Sequence, residues 1–503
     1  MTAIRSSTVA DVPRRSAGRA PNQVALRFGD RTWTYRELDD AVSRAAALLL
    51  ELGLAKGDRV AAYGKNSDAY VIAFLGCARA GLVHVPINYN LKGAELAYLL
   101  EQSGSRAVLA DPALAPRVRE LSEAPEQLLM LRDDDGSLLE RARTGDVPDL
   151  DVEVAETDLV QLLYTSGTTS RPKGAMMTHR ALVHEYVSCI ASMGCAPDDE
   201  PLHAMPLYHS AGMHVMMLPY LAVGATNHLM EAPDVPEILR RVEADGIGAL
   251  FLAPTVWVPL SNHADFADRD LSSLRKAFYG ASIMPGPVLD RLRKALPELG
   301  FYNLFGQSEI GPLATVLGPD EHADRPDSCG RAVLFVELRV VDGDGNDVPA
   351  GELGEVVYRS PQLCEGYWDK PEETEEAFAG GWFHSGDLVR ADEQGYITVV
   401  DRIKDVINTG GVLVASREVE DAIYTHPSVA EVAVIGTPDD RWIEAITAFV
   451  VVKQDVEPTE LIAHAKERLA GFKVPKSVHL IDELPRNASG KLLKRVLRDR
   501  LED

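Results

Sequence analysis

Between Arg59 and Ala110 the chain alternates short apolar runs with helix-length segments, and that alternation constrains the fold most. Arg59–Tyr63 reads as a short buried strand, Asp68–Arg79 as a helix and Leu82–Ile87 as a second strand. A helix near Ala94–Glu101 and a strand at Arg106–Ala110 follow. A βαβαβ series of this kind calls for parallel strands with helices packed on the sheet faces. The rhythm resumes with strands at Ala249–Ala253 and Arg275–Tyr279, a helix at Pro287–Leu296, and a strand at Tyr302–Phe305.

After Gly330 the texture changes. Phe335–Val341, Glu355–Arg359 and Tyr396–Val400 are short strands separated by Gly/Asp/Pro turns such as DGDGNDVPAGELG, which is antiparallel character. From about residue 405 the order is helix (Glu418–Thr425), strand (Glu431–Ile435), strand (Ala448–Val452), helix (Thr459–Leu469) and strand (Ser477–Ile481). That last part, of roughly a hundred residues, has the size of a separate α+β domain. The predicted class is α/β: a large N-terminal domain of parallel, helix-covered sheets, a small β-barrel-like subdomain, and a small α+β C-terminal domain. A chain of 503 residues fits two or more domains.

A formal charge of −25 argues against nucleic acid, whose backbone is engaged mainly through Lys and Arg. The longest apolar stretch, about Val71 to Ile87, is broken by Arg79 and His84 and predicts no transmembrane segment. Cys77, Cys189, Cys195, Cys329 and Cys364 form no CxxC pair, and the N-terminus has no apolar signal core. Reduced, buried thiols in a cytoplasmic protein are the expectation.

Residues 164 to 174, YTSGTTSRPKG, come directly after the apolar run Leu159–Leu163. Gly167 and Gly174 allow close backbone approach, so N–H groups can face an anion. Thr165, Ser166, Thr168 and Thr169 add hydroxyl donors, and Lys173 adds a positive charge. The lysine follows proline and precedes glycine, and the next helix, about Ala181–Met193, begins several residues later. The common G-x-x-x-x-G-K-[ST] NTPase loop is therefore absent. The composition alone fits either a phosphate clamp or a flexible surface turn.

The order of residues closely resembles the phosphate-binding signature of the adenylate-forming superfamily, which includes acyl-CoA synthetases, adenylation domains of peptide synthetases, and luciferases. Later motifs follow in the same order, so the resemblance runs over essentially the whole chain. NLFGQSE at 303–309 is similar to the adenine and magnesium motif. The resemblance implies that Phe305 stacks on adenine, that Gly306, Gln307 and Ser308 adjoin the nucleotide, and that Glu309, with Thr165, holds Mg²⁺. WFHSGD at 382–387 supplies Asp387 for the ribose hydroxyls. DRIKD at 401–405 supplies Arg402 for the nucleotide and Lys404 as pivot, and PRNASGKLLKR supplies the catalytic Lys491. Gly280, Ala281 and Ser282 are expected beside the adenine and the carboxylate, and Gly410 and Gly411 to leave room for pantetheine. His209, in PLYHS, is expected at the mouth of the acyl and pantetheine channels. Met213 and His214 either line the acyl pocket or pack in the core. Ser170, Arg171 and Ser308 depart from the family pattern; Ser308 keeps the usual hydroxyl.

The resemblance implies a domain of residues 1–402, a hinge at 403–405 and a mobile domain at 406–503. It also implies ATP, Mg²⁺ and coenzyme A. A carboxylate attacks the α-phosphorus of ATP to give acyl-AMP and pyrophosphate; rotation about Lys404 then admits the thiol. Lys173, Lys491 and Glu309 with its metal stabilise the first transition state. No arginine stands out in LHAMPLYHSAGMHVMMLPYL or FYGASIMPG to pair a second carboxylate, so a fatty or aryl monocarboxylate is favoured over a diacid. The runner-up keeps adenylation but passes the acyl group to a carrier-protein thiol or an amine, or activates nitrite for diazotisation of an aryl amine. A third reading, a non-catalytic nucleotide-binding scaffold, sits badly with intact Lys173, Glu309, Asp387, Arg402 and Lys491. A homodimer stays open.

Overall fold

The computed structural model describes residues 7–502 apart from 124, 126, 166–170, 283, 411, 440 and 487–491. The chain divides into two compact units. The first holds residues through Thr165, Pro172–Glu337 and Tyr358–Phe383; the second holds Leu338–Val357 and His384 onward.

Two sheets build the first unit. One has six strands in the order Gln127–Met130, Ser105–Ala110, Arg59–Tyr63, Val83–Pro86, Leu159–Thr165, Lys173–Thr178. Its pairings are parallel except the last, an antiparallel hairpin. In the other, six parallel strands run from Gly300–Phe305 through Lys276–Gly280, Ala249–Phe251, Pro201–His203 and Asn227–Leu229 to Val24–Phe28. Antiparallel strands flank both edges.

Helix Asp68–Arg79 shows why the apolar run near Val71 is core. Every residue from Asp68 to Ala78 is buried, and Gly76 packs against Ala45 of helix Tyr35–Glu51. Asp68 itself is neutralised by Arg31 at 2.7 Å and by the Trp33 indole at 2.9 Å. No helix of the described residues is long and apolar enough to cross a membrane. All five cysteines are buried and none is disulfide-bonded.

The second unit has a four-stranded sheet in the order Glu337–Val341, Leu353–Arg359, Phe383–Ala391, Ile397–Arg402. Its other sheet runs Val412–Val414, Ile407–Thr409, Ile443–Val452, Val429–Asp439, with Ser477–Leu480 parallel to Ile443–Val452. Val419 and Ile423 of helix Ser416–Tyr424 and Leu461 of helix Pro458–Lys466 close a core over Val434, Ile446 and Val450. Parallel helix-covered sheets, a β-subdomain and a small α+β C-terminal region match the class predicted.

At the end of strand Ile397–Arg402, the buried Asp401 reaches across to helix Ser416–Tyr424. Its Oδ2 accepts from the Ser416 amide at 2.6 Å and the Ser416 hydroxyl at 2.8 Å. The carboxylate thus covers a helix N-terminus, where unpaired amides and the dipole favour an anion. Lys494 donates to Ser416 Oγ at 2.6 Å and pairs with Glu420 at 2.8 Å.

Candidate functional site

The two ends of the stretch 164–174 belong to paired antiparallel strands. Tyr164 pairs with Gly174 and Thr165 with Lys173 across antiparallel strands. Strand Lys173–Thr178, for which the sequence carries no strand signal, follows; helix His179–Met193 starts directly after it, capped by the Thr178 side chain accepting from the Ala181 amide. Ser166, Gly167, Thr168 and Thr169 lie outside the described residues, as do Gly411 and Lys491.

Lys173 and Glu309 come to one aromatic ring. The Lys173 ammonium lies 5.1 Å from the centroid of the Tyr367 ring, and the Tyr367 hydroxyl donates to Glu309 Oε1 at 3.1 Å. Burial, and then the Glu309 carboxylate, push the Tyr367 phenol far up, so it stays a donor. Glu309 is only 8 % exposed and no basic side chain pairs with it among the described residues. It stands in a single helical turn, Ser308–Ile310, just past strand Gly300–Phe305, and the Cys364 amide holds its carbonyl at 2.8 Å. Sequence reasoning missed Tyr367; the only signal was an aromatic pair in CEGYW at 364–368.

The neighbouring strand ends carry the other expected residues of this unit. Gly280 ends strand Lys276–Gly280 opposite Leu304, and exposed Ala281 and Ser282 follow it. Ala281 has φ 63, a left-handed conformation costly for a residue with a Cβ. Half-buried Phe305 ends its strand opposite Thr315. Gly306, at φ 154, passes so near the next turn that a Cβ there would stand 2.0 Å from the Pro312 carbonyl. Gln307 precedes the turn in extended conformation, and Ser308 Oγ lies 3.0 Å from Ser210 Oγ. Ser308 therefore adjoins the PLYHS segment, whose His209 is exposed rather than a core histidine.

Residues 211–217 form a π-helical turn, a widening often met at functional sites. Met213 is buried in the core. His214 is fully buried, with Nε2 2.6 Å from Gln161 Oε1 and Nδ1 3.0 Å from the Tyr186 hydroxyl. Burial drives its pKa down to about 3, so it is neutral. Both ring nitrogens are taken, and the residue packs in the core.

In the second unit Asp387 and Arg402 are cross-strand neighbours. Arg402 Nε donates to Asp387 Oδ1 at 2.7 Å, with Asp387 buried and Arg402 partly exposed. Lys404 is exposed in the turn Ile403–Asp405, the junction between the two sheets of this unit. Gly410 follows strand Ile407–Thr409, with the Trp442 ring over the space a side chain would need.

Comparison with known proteins fits this arrangement. The AMP-binding enzyme family matches residues 13–368, and the AMP-binding enzyme C-terminal domain matches 418–491. Feruloyl-CoA synthase of an Amycolatopsis species is 38 % identical, covering 99 % of this chain and 100 % of that protein. Long-chain-fatty-acid–CoA ligase FadD13 of Mycobacterium tuberculosis is 33 % identical, over 93 % of each chain. Among solved structures, o-succinylbenzoate CoA synthetase (MenE) of Bacillus subtilis, complexed with its acyl-adenylate intermediate, superposes with a TM-score of 0.89 at 28 % identity. The match covers 99 % of this chain and 98 % of that one. The same enzyme bound to ATP and a magnesium ion gives 0.87. Two family matches in series and full-length relatives leave one conclusion: the chain belongs to the AMP-binding, adenylate-forming enzymes, in their acyl-CoA ligase branch.

Proposed function

We propose that this enzyme activates an aryl or fatty monocarboxylate as its acyl-AMP and passes the acyl group to coenzyme A. The observation that carries the reading is the Lys173–Tyr367–Glu309 cluster at the start of strand Lys173–Thr178. A cation over the ring of Tyr367 and, at its hydroxyl, a buried carboxylate with no basic partner among the described residues suit phosphate oxygens and a hard metal ion. No group of three or more His, Cys, Asp or Glu side chains among the described residues could hold a metal alone. Mg²⁺ keeps several waters and takes one or two carboxylates together with substrate phosphates. Glu309 would be its protein ligand, with the Thr165 hydroxyl as second donor. Bound there, the ion neutralises phosphate charge.

The chain's own residues then divide the work. Lys173 neutralises the departing pyrophosphate, and Lys491 stabilises the charge that builds on the α-phosphate as the carboxylate oxygen attacks. A preorganised donor of this kind is commonly worth about 3–4 kcal/mol of barrier. Phe305, Gly306, Gln307, Gly280, Ala281 and Ser282 flank the adenine, while Asp387 and Arg402 serve the ribose and nucleotide. His209 stands where acid and thiol meet. We assign residues 1–402 to the activating domain and 403–405, with Lys404, to a hinge for residues 406–503. Gly410 and Gly411 then give pantetheine room, and the thiol sulfur displaces AMP from the acyl carbonyl.

Ferulate is the first acid to test, since feruloyl-CoA synthases of an Amycolatopsis and a Streptomyces species are each 38 % identical to this chain. Indoleacetate and a long-chain fatty acid come next. A fatty acid–acyl-carrier-protein ligase of Streptomyces coeruleorubidus, 33 % identical over 95 % of this chain, makes a carrier thiol the second acceptor to try. The five buried thiols suit a cytoplasmic location. Incubation with ATP, Mg²⁺, CoA and the acid panel, read by mass spectrometry, should give an acyl-CoA and AMP. Acyl-AMP that accumulates unchanged by CoA would refute CoA as acceptor.

A further inference from the structure

Behind the Glu309 turn lies a second carboxylate that the two half-reactions above do not use. Glu185 is fully buried on helix His179–Met193, the helix that follows the phosphate-loop hairpin. Its Oε1 accepts from the Leu313 amide at 2.9 Å and from the Cys189 thiol at 3.4 Å, and its Oε2 accepts from Gln362 Nε2 at 2.5 Å. No basic side chain offsets it among the described residues. An uncompensated buried carboxylate is costly, and an apolar residue of the same size would pack more cheaply.

Gln362 is fully buried as well. Its amide nitrogen also reaches the Ile310 carbonyl at 3.3 Å and the Leu313 carbonyl at 3.1 Å, while its oxygen accepts from the Ser188 hydroxyl at 2.6 Å. Carbonyls only accept, so they fix which end of the amide faces Glu185. Glu185 then meets an N–H donor at each oxygen, an arrangement made for the ionised form. Gly311 passes close enough that a Cβ there would stand 3.0 Å from Glu185 Oε2. Segment 310–313, which leaves directly from Glu309, is thus gripped by one carboxylate and its amide relay.

We infer that Glu185 is a positioning residue for adenylation: through Gln362 and the 310–313 backbone it sets where Glu309 stands toward the metal-bound nucleotide. This rests on the acid–CoA ligase reading. Burial pushes the Glu185 carboxyl up to about 8, against the Leu313 amide and Cys189 thiol, which favour the charge. Tyr186 and Cys189 are the titratable neighbours on its own helix, both raised by burial and neutral in this range. The facing segments bring it amides and no charged group among the described residues. Adenylation therefore rises as pH passes upward through about 8 and Glu185 gains its charge.

The test is acid-dependent exchange of labelled pyrophosphate into ATP by the full chain, with Mg·ATP varied, beside attack of CoA on supplied acyl-AMP. Glu185→Gln sets an amide nitrogen against Gln362 Nε2 and should raise the KM for Mg·ATP about tenfold. It should also flatten the pH limb, with CoA attack changed less than about twofold. Unchanged KM and pH limb would overturn the inference, as would equal losses in both half-reactions, the mark of a structural role. If Glu185→Gln does not fold, Ser188→Ala, which frees the Gln362 oxygen, should raise the same KM more mildly; no rise there overturns it too. A wild-type chain with no acid-dependent exchange would sink the ligase reading and this inference together, whereas normal exchange with unresponsive variants sinks the inference alone.

Discussion

Lys491 and Glu309 pose the sharpest questions about single side chains. Lys491→Ala should lower acyl-AMP formation by about two to three orders of magnitude, the usual loss for one preorganised donor. Thioester formation from supplied acyl-AMP should be nearly untouched, and single-turnover assays of each half-reaction separate the two. Glu309→Gln keeps shape and removes an anionic ligand, so the Mg²⁺ concentration for half-maximal exchange should climb sharply. An unmoved magnesium titration would place the metal elsewhere. Both residues were legible as sequence because each sits in a run whose neighbours are themselves informative. Tyr367 was not: nothing in CEGYW says that its hydroxyl will meet Glu309, a partner 58 positions away. Glu185 was hidden for a related reason, since a carboxylate on a helix ordinarily means a solvated face. Only packing shows it to be buried.

At the level of elements, periodicity placed the strands and helices it named in the first unit to within about two residues, while others, such as helix Tyr35–Glu51 and strands Val24–Phe28 and Asn227–Leu229, went unread. Arg59–Tyr63 and Asp68–Arg79 form as expected, because an unbroken apolar run and a Ser67 side chain accepting from the Tyr70 amide are local signals. The hairpin partner Lys173–Thr178 was overlooked. Its lysine and glycine read as loop, and its pairing with Leu159–Thr165 supplies what propensity lacks. The π-helical turn at 211–217 has no period to find. The junction of strand Gly300–Phe305 with the Glu309 turn makes its own demand. Gly306→Ala would drive a Cβ into the Pro312 carbonyl, whose backbone cannot yield cheaply. The variant should lose about 2 kcal/mol or more of stability by urea unfolding, and exchange activity should fall further than stability accounts for.

For the whole molecule, the two-stage scheme asks residues beyond Lys404 to change their orientation once acyl-AMP has formed. The Asp401–Ser416 contact ties the strand before that pivot to the helix after it. A hydrogen bond to a charged group contributes about 1.5–3 kcal/mol, enough to shift a two-state balance more than tenfold. Turnover of this kind would part and remake the contact once per product, which turns a helix cap into a timing element. Ser416→Ala, which spares the amide but removes the hydroxyl shared by Asp401 and Lys494, should leave pyrophosphate exchange near its original rate. The delay between acyl-AMP and thioester in a single turnover should change about tenfold. An unaltered delay would take the contact off the reaction path. The pace of the enzyme, on this view, is set by a carboxylate that touches neither acid, nucleotide nor thiol.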